Sequence, residues 1–376
     1  MEIHSKTRTN FKLREKLIIL LFMTVSLRIS AAKTQSIIPA VGKNGKLGFI
    51  NQRGKILIPF RFIQVKPFHE GLACAAVLSQ TGTVKWGYIN PKGSWVIPPQ
   101  FNLARSFHKG LAAVGYQRLP KYHQRLEGLF PLTQAHWGFI NQKGKFMIKP
   151  QFKKALSFSE GLAAVCISKR CGYIDPQGKW IILPHYLSAF SFHEGIARVF
   201  TGRFGFINKK GDWIVKPHYD DAGSFSDGLA LLSNFRKHDG YYGYINKSGK
   251  ILIPFQFKVA YPFSERLAFV VKQIHKKTEL GYINPLGKMV IHLPKNIFFH
   301  YRPWQANQET FQNGLALLAV QSSKGIRYGY INHTGKWEIP PKFRDALPFY
   351  HGTAEVKIKG KWGYLINKKG EIIWTP

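Results

Sequence analysis

Carboxylates are scarce in this sequence: 19 Asp and Glu stand against 55 Lys and Arg among 376 residues, a formal net charge of +36. Sulfur is scarcer still, with three Cys and four Met. No HExxH, CxxC, GxSxG or phosphate-loop pattern occurs, so the familiar marks of zinc proteases, redox dithiols, serine hydrolases and P-loop enzymes are missing. Long apolar runs are missing too. Leu17 to Leu27 (LIILLFMTVSL) is a largely apolar stretch of eleven residues, against the roughly 20 that a bilayer-spanning helix needs. Aromatic residues, in contrast, are plentiful. The chain has 29 Phe, 16 Tyr and 9 Trp within a hydrophobic fraction of 45%, which excludes wholesale disorder and allows a large core.

Residues 1–32 read as a secretory signal peptide. Lys6, Arg8, Lys12, Arg14 and Lys16 form a basic start, Leu17 to Leu27 an apolar centre, and Ser30-Ala31-Ala32 a cleavage site. The expected mature chain therefore begins at Lys33 and is exported, periplasmic or extracellular. An uncleaved N-terminal anchor is the alternative. Cleavage removes six basic and two acidic residues and leaves +32. Such a charge favours an anionic polysaccharide, an anionic membrane surface or an acidic protein; export disfavours nucleic acid. The plainer explanation is that dispersed Lys keeps a sheet-rich surface soluble and its edges unpaired.

From about residue 40 the chain repeats itself. Gly-aromatic-Ile-Asn/Asp-x-x-Gly starts at Gly48, Gly87, Gly138, Gly172, Gly205, Gly243, Gly281 and Gly329, with a ninth variant at Gly363 that carries one extra residue. Steps of 33 to 51 residues suit a solenoid, propeller or array. Each copy predicts three short strands. The first, Trp86 to Asn90 in one copy, can be called the Gly strand. Asn90-Pro91-Lys92-Gly93 then has type I turn chemistry. The second, Trp95-Val96-Ile97, is expected to end at proline (Pro98 here; Pro59, Pro184, Pro254 and Pro340 elsewhere); it is the Pro strand. A linker follows, closing on a Phe-x-x-Gly-Leu-Ala corner such as Phe107 to Ala112, whose Phe is expected to plug the space between units. Leu-Ala-Ala-Val opens the third, the Ala strand.

In combination these motifs resemble the WG repeat family, from about residue 38 to 376. Trp86-Gly87, Trp137-Gly138 and Trp362-Gly363 match the family dipeptide, while six copies replace the Trp with another residue. The resemblance implies a β-rich, often exported protein and brings no catalytic residues with it. The expected fold is all-β: a tandem array of nine three-stranded antiparallel units, with an open superhelical solenoid favoured over a closed propeller. In the propeller alternative, Ile37 to Val41 and Ile372 to Trp374 would complete one shared blade.

Candidate chemistry is thin. Glu70, Glu160, Glu194, Asp227 and Glu265 recur at the corner and read as turn residues, as do His69, His108 and His193. No metal or other cofactor is expected. Cys166 and Cys171 flank a predicted hairpin and can form a disulfide, with two reduced thiols as the alternative; Cys74 reads as a small buried residue. Two insertions interrupt the repeat, Gly115 to His136 and about Lys295 to Thr310. The second carries Phe298, Phe299, Tyr301, Arg302 and Trp304, aromatics beside a cation that suit ligand stacking or interfacial contact. The expectation is an exported, non-enzymatic binding or scaffold protein that contacts an anionic envelope or host component. A glycan-active enzyme and a purely structural envelope spacer are the alternatives.

Overall fold

The computed structural model describes residues 36–117, 135–234, 240–274, 277–298, 309–323 and 325–376. The predicted leader and most of both insertions lie outside them. All regular structure among the described residues is antiparallel strand, arranged in eight small sheets. Six sheets have four strands, one has three (Ile38–Val41, Leu47–Ile50, Ile56–Phe62), and one has seven.

The predicted strands are present, but three per unit is one too few. In the sheet that holds the Trp86 copy, a two-residue strand, Gln64–Val65, precedes the Ala strand (Ala73–Leu78), the Gly strand (Val84–Ile89) and the Pro strand (Trp95–Phe101). The expected linker is really a crossing. One residue past the end of one Pro strand, the Asn102 amide already donates to Gly115 in the next sheet. In Ile251–Ala260 even that break is gone, and a single strand serves two units, which produces the seven-stranded sheet.

Proline does not end the Pro strand, contrary to expectation. Pro98 and Pro99 lie inside Trp95–Phe101. Tyr88 pairs with Ile97 and Trp86 with Phe101, so two steps on the Gly strand oppose four on the Pro strand. Within such a bulge a residue need not donate to the ladder, so proline is tolerated there. The bulge also explains the anchor glycine. A Cβ at Gly87 would lie 2.5 Å from the Ile97 carbonyl oxygen and 2.8 Å from the Pro99 nitrogen. Gly48, Gly138 and Gly329 meet their Pro strands in the same way.

The core lies between sheets. Leu111 and Ala113 of one Ala strand pack with Trp137, Phe158 and their neighbours on one side, whereas Ala112 and Val114 pack with Tyr88 and Phe107 on the other. Alternate side chains point to opposite faces, so an Ala strand buried on both sides reads as a continuous apolar run. The corner Phe is the plug that was expected: Tyr88 packs tilted against Phe107 with ring centres 4.8 Å apart, Tyr173 against Phe192 at 4.8 Å and Phe139 against Phe158 at 4.9 Å. Where the Gly-strand aromatic is Tyr, its hydroxyl reaches into the next unit. Tyr88 donates to the Arg105 carbonyl at 2.9 Å, Tyr173 to Phe190 at 2.8 Å and Tyr330 to Leu347 at 2.7 Å.

Nine such clusters occur among the described residues. Eight follow chain order. The ninth joins the first sheet to the last, through Ile38, Ala40 and Ile50 against Leu365, with Phe60, Ile373 and Trp374 packed on it. The Trp374 indole donates to the Val41 carbonyl at 2.7 Å, and its ring lies 5.0 Å from Phe60. The favoured open superhelix keeps its ends apart and does not accommodate this contact. Nor do the ends share a blade: Ile38–Val41 pairs with Leu47–Ile50, and Ile372–Trp374 pairs with Lys361–Ile366. They pack face to face.

Candidate functional site

Each corner is a tight hairpin tip. Glu70 and Gly71 take φ of 51° and 82°, and His69 and Leu72 exchange backbone hydrogen bonds across them. The corner acids reach forward. Glu70 accepts from the Lys109 and Gly110 amides at 2.6 and 2.8 Å, Glu160 from Gly195 at 2.9 Å, and Glu194 from Gly228 at 3.0 Å. Asp227 and Glu265 do the same for Arg266 and Gly314 at 2.6 and 3.0 Å, and Asn313 for Gly352 at 2.9 Å. These side chains link most consecutive corners, with Lys109 in the acid's place at one of them, a role that recurrence in the sequence hinted at without showing the partner.

The turn between Gly and Pro strands sits beside the corner of the preceding unit. Its Asn holds the turn shut: Asn90 Oδ1 accepts from the Lys92 and Ser94 amides at 3.0 and 3.1 Å. The second turn residue reaches the corner. Lys209 lies 3.1 Å from Glu160, Lys247 2.8 Å from Glu194, and His333 2.9 Å from Glu265. Burial alone would raise the Glu160 carboxyl, but Lys209 and the Gly195 amide outweigh it and hold it below the usual carboxylate range. Gly352 at the last corner and Gln52 in the first turn line one crevice with Lys368 and Lys369. The relation between turn and preceding corner is thus kept at the junction of the chain ends.

The turn edge is strongly basic. Counting the residue after each turn, the nine turns carry fourteen Lys or Arg and three acids, Asp175, Asp212 and Glu371. All fourteen cations are exposed, and among the described residues only Lys209 and Lys247 of them form ion pairs. Other cations are structural. Lys66 donates to Ala104 at 2.6 Å beneath Trp86, and Arg105 to Ala155 at 3.0 Å beneath Trp137. Arg198 lies 3.9 Å from the Phe190 ring centre and donates to the Ala222 carbonyl. Burial lowers the pKa of all three.

Of the aromatic insertion singled out in the sequence, Phe299, Tyr301, Arg302 and Trp304 lie outside the described residues. Phe298 ends the short strand Ile297–Phe298, paired with Ala319. Cys166 and Cys171 are directly opposed across the hairpin, Cα atoms 4.0 Å apart, with their sulfurs joined. Cys74 is a free, buried thiol, which burial pushes up to about 11. His69 and His108 stack at 5.1 Å, and burial first, then His108 and His351, lower the His69 pKa. Among the described residues no group of three or more His, Cys, Asp or Glu is placed to hold a metal ion.

Comparison with known proteins agrees with this repeating anatomy. No curated protein matches the chain. Among solved structures, the uncharacterized protein lmo1340 from Listeria monocytogenes EGD-e is 11% identical, with 90% of this chain and 94% of that one covered and a TM-score of 0.40. A prolyl endopeptidase is 10% identical over 80% of this chain and 53% of its own (TM-score 0.38). Hsv2 of Kluyvelomyces marxianus is 10% identical over 68% and 86% (TM-score 0.36). Similarity at these levels transfers no activity. The WG containing repeat model matches residues 48–77, 86–115, 137–171, 172–202, 204–233, 242–273 and 328–362. The copies at Gly281 and Gly363, one followed by an insertion and one carrying an extra residue, are not matched from their anchors. With most of the chain matched and the motif residues explained by the bulge, the turn and the corner, the chain belongs to the WG containing repeat family.

Proposed function

We propose that residues 37–376 close into a ring of nine units, and that the protein is an exported, non-enzymatic scaffold which offers a rigid basic surface to an anionic partner. Ring closure is supported by the ninth core cluster: nine units in an open array have eight junctions, and a ring has nine. The observation that carries the function is the exposed turn cations, which largely lack carboxylate partners, while the groups that could do chemistry hold units together. Corner acids accept the neighbouring corner's amides, Tyr hydroxyls donate to the neighbour's carbonyls, and Asn side chains close the turns. Repetition of the same few structural roles from unit to unit suits a surface better than an active site, where differently placed groups must converge.

Export rests on the leader pattern and is checked by mass spectrometry of the exported protein, which should begin at Lys33 within a residue or two. For binding, the mature protein is tested on anionic and neutral vesicles and on an acidic polysaccharide at two salt concentrations. Screening shortens from about 10 Å at 0.1 M to about 3 Å at 1 M, so retention on the anionic partner should fall steeply with salt. Salt-insensitive binding, equal on neutral surfaces, contradicts the proposal.

A further inference from the structure

We infer that the edge formed by the nine Asn-x-x-Gly turns is a flat docking face for an anionic lipid surface, an inference that rests on the ring and the anionic-partner reading above. Three observations converge on it. The first is charge: fourteen exposed Lys or Arg on these turns against three acids. The corner acids lie along the same edge, but their oxygens are occupied by the neighbouring corner's amides.

The second is shape. Each turn glycine packs against the Pro strand of the preceding unit. A Cβ at Gly144 would lie 3.3 Å from Ile97, at Gly178 3.3 Å from Ile148, at Gly287 3.2 Å from Ile253, and at Gly370 3.1 Å from Ile339. Gly54 of the first sheet also sits against the last Pro strand, where a Cβ would meet the backbone carbonyl of Ile373 instead of an Ile side chain. Equivalent positions related by one repeated rotation lie in a plane when the rotation closes on itself, because any rise per step would carry the last unit past the first. The turns therefore share one level. They are also equal in length, with the closing glycine three residues after the Asn or Asp in every copy. The opposite edge is uneven: two residues separate Ile167 from Arg170, and 17 separate Gln117 from Ala135. A plane can touch all nine turns at once, whereas an extended polyanion crossing the ring meets only part of the circle.

The third is an apolar tip within this basic edge. Leu286, the third residue of its turn, is 84% exposed, and such a side chain can enter the headgroup boundary while cations contact the lipid phosphates.

Each cation held near an anionic leaflet strengthens binding several-fold. The test uses vesicles of equimolar phosphatidylglycerol and phosphatidylcholine, with phosphatidylcholine alone as control. It compares the mature chain with two triple charge reversals of equal net charge: Arg53→Glu/Lys143→Glu/Lys210→Glu on the turn edge and Lys43→Glu/Lys169→Glu/Lys359→Glu on the opposite edge. The turn-edge variant should lose about 100-fold in vesicle affinity, and the opposite-edge variant should stay within a few-fold of the parent. Equal losses, or none, overturn the assignment of the face. Loss of dextran sulfate binding without any parental vesicle binding assigns the edge to a linear polyanion and overturns the lipid surface. If the parent binds no anionic partner at low salt, the broader reading fails, and that outcome is distinct from the others.

Discussion

Trp374 and Val41 are 333 positions apart in the chain and one hydrogen bond apart in space, the indole nitrogen donating to the carbonyl oxygen at 2.7 Å. The bond belongs to the core cluster that joins the first sheet to the last, with Leu365 standing where Tyr88 or Tyr330 stands in other clusters.

Removing this clasp should cost stability. Trp374→Ala loses the hydrogen bond and the contact with Phe60, and should destabilise by about 2 kcal/mol in urea unfolding. Trp362, which is 37% exposed, supplies the control. Equal effects of Trp374→Ala and Trp362→Ala would mean that the ends do not hold each other.

Glycine substitutions separate two mechanisms. Gly87→Ala forces a Cβ against the Pro98-Pro99 backbone and should cost about 2–4 kcal/mol. Gly93→Ala and Gly211→Ala both carry the left-handed penalty of about 1–2 kcal/mol. Gly93 should suffer more, because its Cβ would lie 2.9 Å from Ile58, whereas that of Gly211 would lie 3.4 Å from Ile182. Equilibrium unfolding of the three variants tests the order, and its reversal would refute the packing described.

A pH effect follows from Glu309, which burial pushes up to about 7 from 4.5. The folded chain holds this proton more tightly than the unfolded chain does. The associated stability is complete below pH 4.5 and is lost as pH rises toward 7, by about 3 kcal/mol in all. Glu309→Gln should therefore be more stable than the parent at pH 8 and similar to it at pH 4. A constant difference across that range would show that the carboxyl is not held protonated.

The disulfide closes a very short loop, so reducing Cys166–Cys171 should cost only about 2 kcal/mol on chain-entropy grounds. Thermal melts with and without reductant measure this. Unfolding on reduction would give the bond a larger role than its position suggests.

Local features were legible in the sequence. The period, the Asn-to-Gly turns, the corner Phe and the buried Cys74 follow from turn chemistry and apolar patterning. Register and long-range pairing were not. Pro98 reads as a stop signal because nothing local reveals the bulge that lets it remain inside a strand. The corner acids recur visibly, yet their partners are amides 34 to 49 residues onward, as Glu194 with Gly228 and Glu265 with Gly314 show. The end contact joins Trp374 to Val41 across almost the whole chain, and nothing local in either segment announces it. The turn edge was missed because fourteen cations dispersed along the chain gather only when the units stack.

The distance between the chain ends tests closure most directly. With spin labels at Lys43 and Thr375, pulsed dipolar spectroscopy should give one short, narrow distance. Eight junctions at the roughly 10 Å spacing of packed sheets would place the ends of an extended open array about 80 Å apart. A long or broad distribution would contradict the ring.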